Sequence, residues 1–213
     1  FRVDAVKHVE TTSIFNLRAA IAERFEQGGT PVVMLGETAV GQGDRFDDGC
    51  GEIYPSGYDW ISAYTGPNAL NGQFDFPTHH GIQWGVLTGQ AGYDQIEGAV
   101  AEYQRRYDPE ALHVQFLGSH DSSRMASRAA QDPATGCRFS DEPGCGQLAQ
   151  PINDRVVFDR LKRAFTLLYT LPGIPLLYYG DDIALPGGND PDSRRDMWWD
   201  GDLAEVAMTD ARP

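Results

Sequence analysis

The sequence predicts an α/β fold with a parallel sheet, arranged as part of a (β/α) barrel. Short apolar runs alternate with stretches of helical periodicity. The crossovers between runs exceed the dozen or so residues that parallel strands need. Loops leaving the runs are long, whereas returns such as GGTP (28–31) and PGIP (172–175) are short. That asymmetry fits a (β/α) barrel, whose functional loops gather at one end. A doubly wound open sheet is the alternative, but no G-x-G-x-x-G follows any run.

Each element has its own signal. Residues 1–5 read as the end of a strand. Ile14, Leu17, Ile21, Ala22 and Phe25 recur at helical spacing, with Thr12 or Ser13 as cap and Gly28–Gly29 as stop. Residues 32–35 form the next strand, and a Gly/Asp/Tyr-rich stretch fills 38–71. GQFDFP (72–77) reads as a further strand closed by Pro77. Ile96, Ala99, Val100, Tyr103 and Tyr107 mark a second helix, with Asp94 and Glu97 spaced as a capping box. Residues 114–117 are a strand, and 126–151 read as an inserted polar loop. Val157, Leu161, Ala164, Phe165 and Leu168 mark a third helix. Gly173 breaks it, and 175–179 form the last strand.

The chain has 213 residues, enough for one good core. Its 31 acidic against 17 basic residues give a formal charge of -14. Nucleic acid and anionic membrane are poor partners for that surface, whereas a neutral substrate such as a sugar meets no penalty. No run of about 18 apolar residues exists to span a membrane. No secretion signal is visible, and Phe1 opens inside a strand, which reads as a piece of a longer protein. Cys137 and Cys145 flank a polar loop. They form either a disulfide, which would favour a secreted or periplasmic setting, or two free thiols.

The chemistry sits at the strand ends. Asp4, Glu37 and Asp121 each lie just past a short apolar run, and a fourth run ends in Asp181–Asp182. In parallel α/β folds that face carries function. Glycosidic hydrolysis needs one carboxylic acid to protonate the leaving oxygen and one carboxylate to attack or to activate water. The alternative for clustered carboxylates is a divalent metal, with His8, His79, His80 and His120 as further ligands. No H-E-x-x-H is present, and the adjacent His79–His80 read as part of the loop after FDFP. Any one carboxylate alone could equally be a cap or a salt-bridge residue.

FRVDAVKH, VMLGE, FLGSHD and PGIPLLYYGDDIALPGGNDPDSRR resemble, in order and spacing, successive stretches of the α-amylase family, glycoside hydrolase family 13. The resemblance implies a TIM-type (β/α)8 barrel, with this chain covering about strands four to eight. The first strands, an inserted domain and any C-terminal β-domain would lie outside it. It implies Asp4 as nucleophile, Glu37 as general acid and then base, and Asp121 as the carboxylate that holds sugar hydroxyls and distorts the ring. Arg2, on the same strand face as Asp4, can keep that carboxylate charged. His120 resembles a histidine that donates to substrate hydroxyls. Lys7 and His8 resemble a pair of true α-amylases, the lysine on the leaving-group side and the histidine carbonyl facing a structural calcium ion. Lys7–His8 also reads as a plain solvated turn. Asp190 and Arg194 sit where relatives contact more distant sugars. Tyr54, Tyr58, Trp60 and Tyr64 form either a sugar-stacking platform or packing within a long loop. Ser119 departs from the family, which commonly has Asn there. The implied activity is retaining hydrolysis of α-1,4-glucans. Transglycosylases, cyclodextrin hydrolases and α-1,6-glucosidases are alternatives, and a binding-only barrel is another, although relatives of that kind lose carboxylates that this chain keeps.

Overall fold

The computed structural model describes residues 1–47, 51, 53–132, 135 and 149–199. Cys50, Cys137 and Cys145, and with them the choice between disulfide and thiols, lie outside the described residues. The strands are β1 (Arg2–Val3), β2 (Leu35–Gly36), β3 (Phe46–Asp47), β4 (Ile53–Tyr54), β5 (Gly72–Phe74), β6 (Leu112–Phe116) and β7 (Ile174–Leu176). The α-helices are α1 (Thr11–Phe25), α2 (Gly57–Ala63), α3 (Phe76–Ile82), α4 (Asp94–Arg106), α5 (Met125–Ala129) and α6 (Arg155–Thr170). One five-stranded sheet has the order β1-β2-β5-β6-β7, and β3 pairs with β4 in a separate antiparallel hairpin. Neighbours β1 to β6 run parallel. The order never reverses, so the sheet has no switch point of the doubly wound kind.

Two compact units carry these elements. The first comprises residues 1–80, 94–115 and 172–174; the second comprises 81–93, 116–171 and 175–213. In the first, Val6, Ile14, Ile21, Met34, Tyr64, Ala69 and Leu70 form one core cluster. Val40, Tyr58, Ile61, Ala99, Tyr103 and Tyr107 form another. The helical periods of α1 and α4 account for their share of these. In the second unit, α5, α6 and a π-helical turn at Gln83–Leu87 pack together. Val157, Leu161, Ala164 and Leu168 of α6 face inward, the period its sequence shows.

Several expectations are corrected. Helix α1 starts one turn earlier than a Thr12 or Ser13 cap allows; Glu10 precedes it and no side chain caps it. Leu17 and Phe25 lie on its exposed side. Only Leu35 of the 32–35 run is in a strand. FDFP is not a strand throughout, because Asp75 accepts hydrogen bonds from Thr78 N at 3.2 Å and Thr78 Oγ1 at 2.7 Å, which turns the chain into α3. His79 and His80 therefore lie on a helix, not in a loop. Asp94 begins α4 inside the helix instead of capping it. Residues 126–129, expected in a loop, are helical, within α5. The last strand ends at Leu176. Pro175 lies in it, which an edge strand tolerates. No described helix is long and apolar enough to cross a membrane.

Candidate active site

The structure gathers the candidates into two groups, one in each unit. In the first unit, pairing sets the frame. Arg2 is level with Leu35 and Val3 with Gly36, and Glu37 N donates to Val3 O at 2.9 Å. One further step along this register brings Asp4 beside Glu37, and alternation puts Arg2, Asp4, Leu35 and Glu37 on one face. Arg2 Nη2 then binds both acids, Asp4 Oδ1 at 2.7 Å and Glu37 Oε2 at 2.8 Å. Those two oxygens lie no farther apart than the sum of these distances. The Arg2 guanidinium also lies 5.7 Å from the Phe74 ring centroid.

The surroundings of the two acids differ. The Asp4 side chain is 73% exposed and that of Glu37 only 15%. Ala5, next to Asp4, has left-handed backbone (φ 47), an uncommon state for a residue with a Cβ. Its N–H points at Glu37 Oε2 at 3.4 Å, and Val6 N donates to Glu37 O at 2.9 Å. The turn after β1 is thus fastened to the residue after β2. Gly36 lets Leu70 pack closely beside Glu37: a Cβ there would stand 2.3 Å from Leu70 Cδ1, which would have to shift. Lys7 Nζ donates to Ala39 O at 2.8 Å, which ties it to the loop after Glu37.

His8 ends a short 3₁₀ turn and is exposed. A calcium ion takes six to eight oxygens. The His8 carbonyl would supply one of them, and among the described residues no group of three or more His, Cys, Asp or Glu that could hold a metal ion is assembled. Tyr58 and Tyr64 are core residues, and Tyr64 Oη donates to Val9 O at 2.7 Å. Tyr54 and Trp60 stack with Phe46, at 5.6 Å and 4.8 Å between centroids. Tyr54 and Trp60 thus pack within their own loop, whereas Tyr58 and Tyr64 join the two core clusters of the first unit.

In the second unit, the group is built on a turn. Ser119 Oγ accepts from Asp121 N at 3.2 Å, and Ser119 N donates to Ser122 Oγ at 3.0 Å. Ser119 thus shapes this turn. His120 Nε2 lies 3.0 Å from Asp121 Oδ2. Arg194 Nη2 binds Asp121 Oδ1 at 3.0 Å, and its Nε binds Asp190 Oδ1 at 2.6 Å. Arg194 Nε also donates to His120 O at 3.2 Å. Sequence reasoning missed Asp181 as a buried group. It packs on Gly118, and burial pushes its carboxyl up to about 7, against the opposing charge of Arg124. The sequence places it at the end of an apolar run, but the strand stops at Leu176 and Asp181 opens a 3₁₀ turn, Asp181–Ile183; its burial was not legible.

No family model matches the chain. It is 46% identical over 152 residues to a cyclomaltodextrinase of Thermoanaerobacter pseudethanolicus, covering 70% of this chain and 21% of that protein. It is 27% identical over 203 residues to an α-amylase of Streptomyces lividans, covering 93% of this chain and 19% of that one. The chain belongs to the α-amylase family, glycoside hydrolase family 13. Among solved structures, an Anoxybacillus α-amylase superposes with a TM-score of 0.67 at 25% identity, over 93% of this chain and 35% of that one. An α-amylase of Geobacillus thermoleovorans, solved with acarbose, superposes with a TM-score of 0.65 at 24% identity, over 96% and 37%. The chain thus spans about a fifth of these curated relatives and about a third of these solved structures.

Proposed function

We propose that this chain carries the carboxylates of a retaining glycoside hydrolase acting on α-1,4-glucans, within a (β/α)8 barrel of which it holds about strands four to eight. The observation that carries this reading is the single guanidinium of Arg2 bound to both Asp4 and Glu37, at 2.7 Å and 2.8 Å. A retaining pair stands about 5–5.5 Å apart, and an inverting pair about 6.5–9.5 Å. A shared nitrogen at hydrogen-bond distance from each acid supports the shorter separation. The sequential parallel sheet supports the barrel.

In the first step, Asp4 attacks the anomeric carbon as the glycosidic C–O bond breaks, and Glu37 gives its proton to the leaving oxygen. A glycosyl ester on Asp4 results. In the second step, Glu37 takes a proton from water as that water's oxygen attacks the same carbon, and the ester bond breaks to free Asp4. Arg2 orients both acids. Asp121, held by Arg194, and His120 bind sugar hydroxyls and favour the distorted ring. Lys7 meets the leaving-group side, and Asp190 with Arg194 meets a more distant sugar. The relatives' names, among them a maltogenic α-amylase and amylopullulanases, support an oligosaccharide or glucan substrate.

Glu37→Gln in the complete protein that carries this chain tests the reading. It is expected to lower kcat on maltooligosaccharides by about 10³-fold, within the range of general acid–base catalysis. Turnover near the parent rate would overturn it. A second reading, cyclodextrin hydrolysis or glycosyl transfer with the same groups, is favoured by the 46% identity to a cyclomaltodextrinase. Product analysis separates the two: new reducing ends from linear glucans support the first, and ring opening or new linkages support the second.

A further inference from the structure

We propose that Arg124 is the positioning residue that holds the His120–Asp121 turn and Arg194 in their working geometry. The proposal rests on the reading of Asp121 as a substrate-holding carboxylate. Arg124 lies three residues past Asp121, at the head of α5, and its side chain is completely buried. A lone arginine ordinarily reads as surface, because burying a guanidinium is costly unless its charge and donors are met.

Here Nε and Nη1 are met by two separate segments, while Nη2 has no hydrogen-bond partner among the described residues. Arg124 Nε donates to Ser193 O at 2.7 Å. Its Nη1 donates to Tyr179 O and lies 3.4 Å from Asp181 Oδ1. Tyr178 and Tyr179 pack against it, their ring centroids 4.1 Å and 4.3 Å from the guanidinium carbon. Its backbone N–H donates to Gly187 O at 3.0 Å. One residue therefore joins the turn after β6 to the chain around 178–181 and to the loop of 187–193.

The loop that Arg124 holds leads back to the site. Ser193, whose carbonyl accepts from Arg124, donates its Oγ to His120 O at 3.1 Å. The next residue, Arg194, binds His120 O and Asp121 Oδ1. Asp121 itself is half exposed, and Arg194 and His120 contact its two carboxylate oxygens. Arg124 acts through Ser193 and Arg194, since its own bonds go to backbone carbonyls and to Asp181. Lysine cannot replace it, because a point-like ammonium cannot reach carbonyls on two segments and pack a planar face against aromatic rings.

The test uses Arg124→Lys, Arg124→Met and Ser193→Ala in the complete protein. Each is crystallised and assayed on maltooligosaccharides below its own unfolding temperature. In folded Arg124 variants the Arg194–Asp121 and Ser193–His120 bonds are expected to open. kcat is expected to fall about 10- to 100-fold, with KM within about twofold, because misplacing a group that favours the distorted ring costs more in the transition state than in the ground state. The loss is expected to be less than additive with Arg194→Ala, since both act on Asp121. Ser193→Ala removes a single hydroxyl and carries the test if the Arg124 variants do not fold; its kcat is expected to fall several-fold. Any folded variant that keeps the Arg194–Asp121 bond and the parent kcat would overturn the proposal. So would a loss strictly additive with Arg194→Ala. An inactive parent protein would remove the glucan reading alone, and the variant crystal structures would still decide this one.

Discussion

In the first unit, Asp4 and Glu37 are set by strand pairing. Backbone bonds between β1 and β2 put them level, and one arginine two residues before Asp4 binds both. In the second unit, Asp121 is set by a turn and by side chains from distant loops: Ser119 within the turn, Arg194 across from it, and Arg124 beneath. Register is fixed by many backbone bonds at once, so no single side chain outside the acid group decides it. A turn held by side chains depends on each of them. The two regions should therefore answer differently to mutation.

The sharpest contrast is expected from Arg2→Lys. A lysine cannot serve two carboxylates as a fork, so kcat in the complete protein should fall about 100-fold while the fold, read by circular dichroism, is kept. An unchanged kcat would mean that backbone register alone places the acids. Next come the two glycines behind the groups. An added methyl would stand 2.3 Å from Leu70 Cδ1 at Gly36 and 2.7 Å from Asp181 Oδ2 at Gly118. Each Gly→Ala should cost about 1–3 kcal/mol in denaturant unfolding. If Gly36→Ala is neutral, the strand-end group is less tightly backed than its packing implies. Arg194→Ala should be milder for catalysis than Arg2→Lys, about tenfold in kcat/KM, because Asp121 keeps His120 and its turn.

Acid should separate the units by direction. Burial lowers His113, stacked against Tyr103 and Tyr107 in the first unit, to about 4. Its contribution to stability is present above about 6.5 and is lost as pH falls toward 4. Burial raises Asp181 in the second unit to about 7. Its contribution is present below about 3.8 and is lost as pH rises toward 7. Melting temperatures from pH 4 to 8 should show His113→Gln flattening the acid limb and Asp181→Asn gaining on the parent as pH rises. Parallel pH curves for parent and Asp181→Asn would sink that assignment. The smallest effect is a cap: Ser56 Oγ accepts from Asp59 N at the start of α2, so Ser56→Ala should cost about 1 kcal/mol.

Much of the strand-end group was legible because it is short-range. Arg2 and Asp4 are two residues apart on a strand, and alternation alone puts them on one face. The 3.6 period of α6 named the residues that pack. The hairpin β3–β4 and helices α2 and α3 were not legible. Their stretch is rich in Gly, Asp and Tyr, and Asp75 ends a strand by fastening to Thr78, a choice that the apolar pattern of FDFP hides. The aromatic residues of the long loop could not be sorted by type alone; packing buried Tyr58 and Tyr64 and stacked Tyr54 on Phe46.

Local chemistry thus wrote which residues are acidic, which face of each strand they share, and which helix faces are apolar, because each of these depends on neighbours within a few positions. Tertiary structure alone decided that Arg2 serves two acids, that Arg124 is buried, and that Ser193 and Arg194 reach back to His120 and Asp121. Apart from Arg2–Asp4, those contacts join residues 35 to 74 positions apart, and no local pattern carries the distance between segments that only folding brings together.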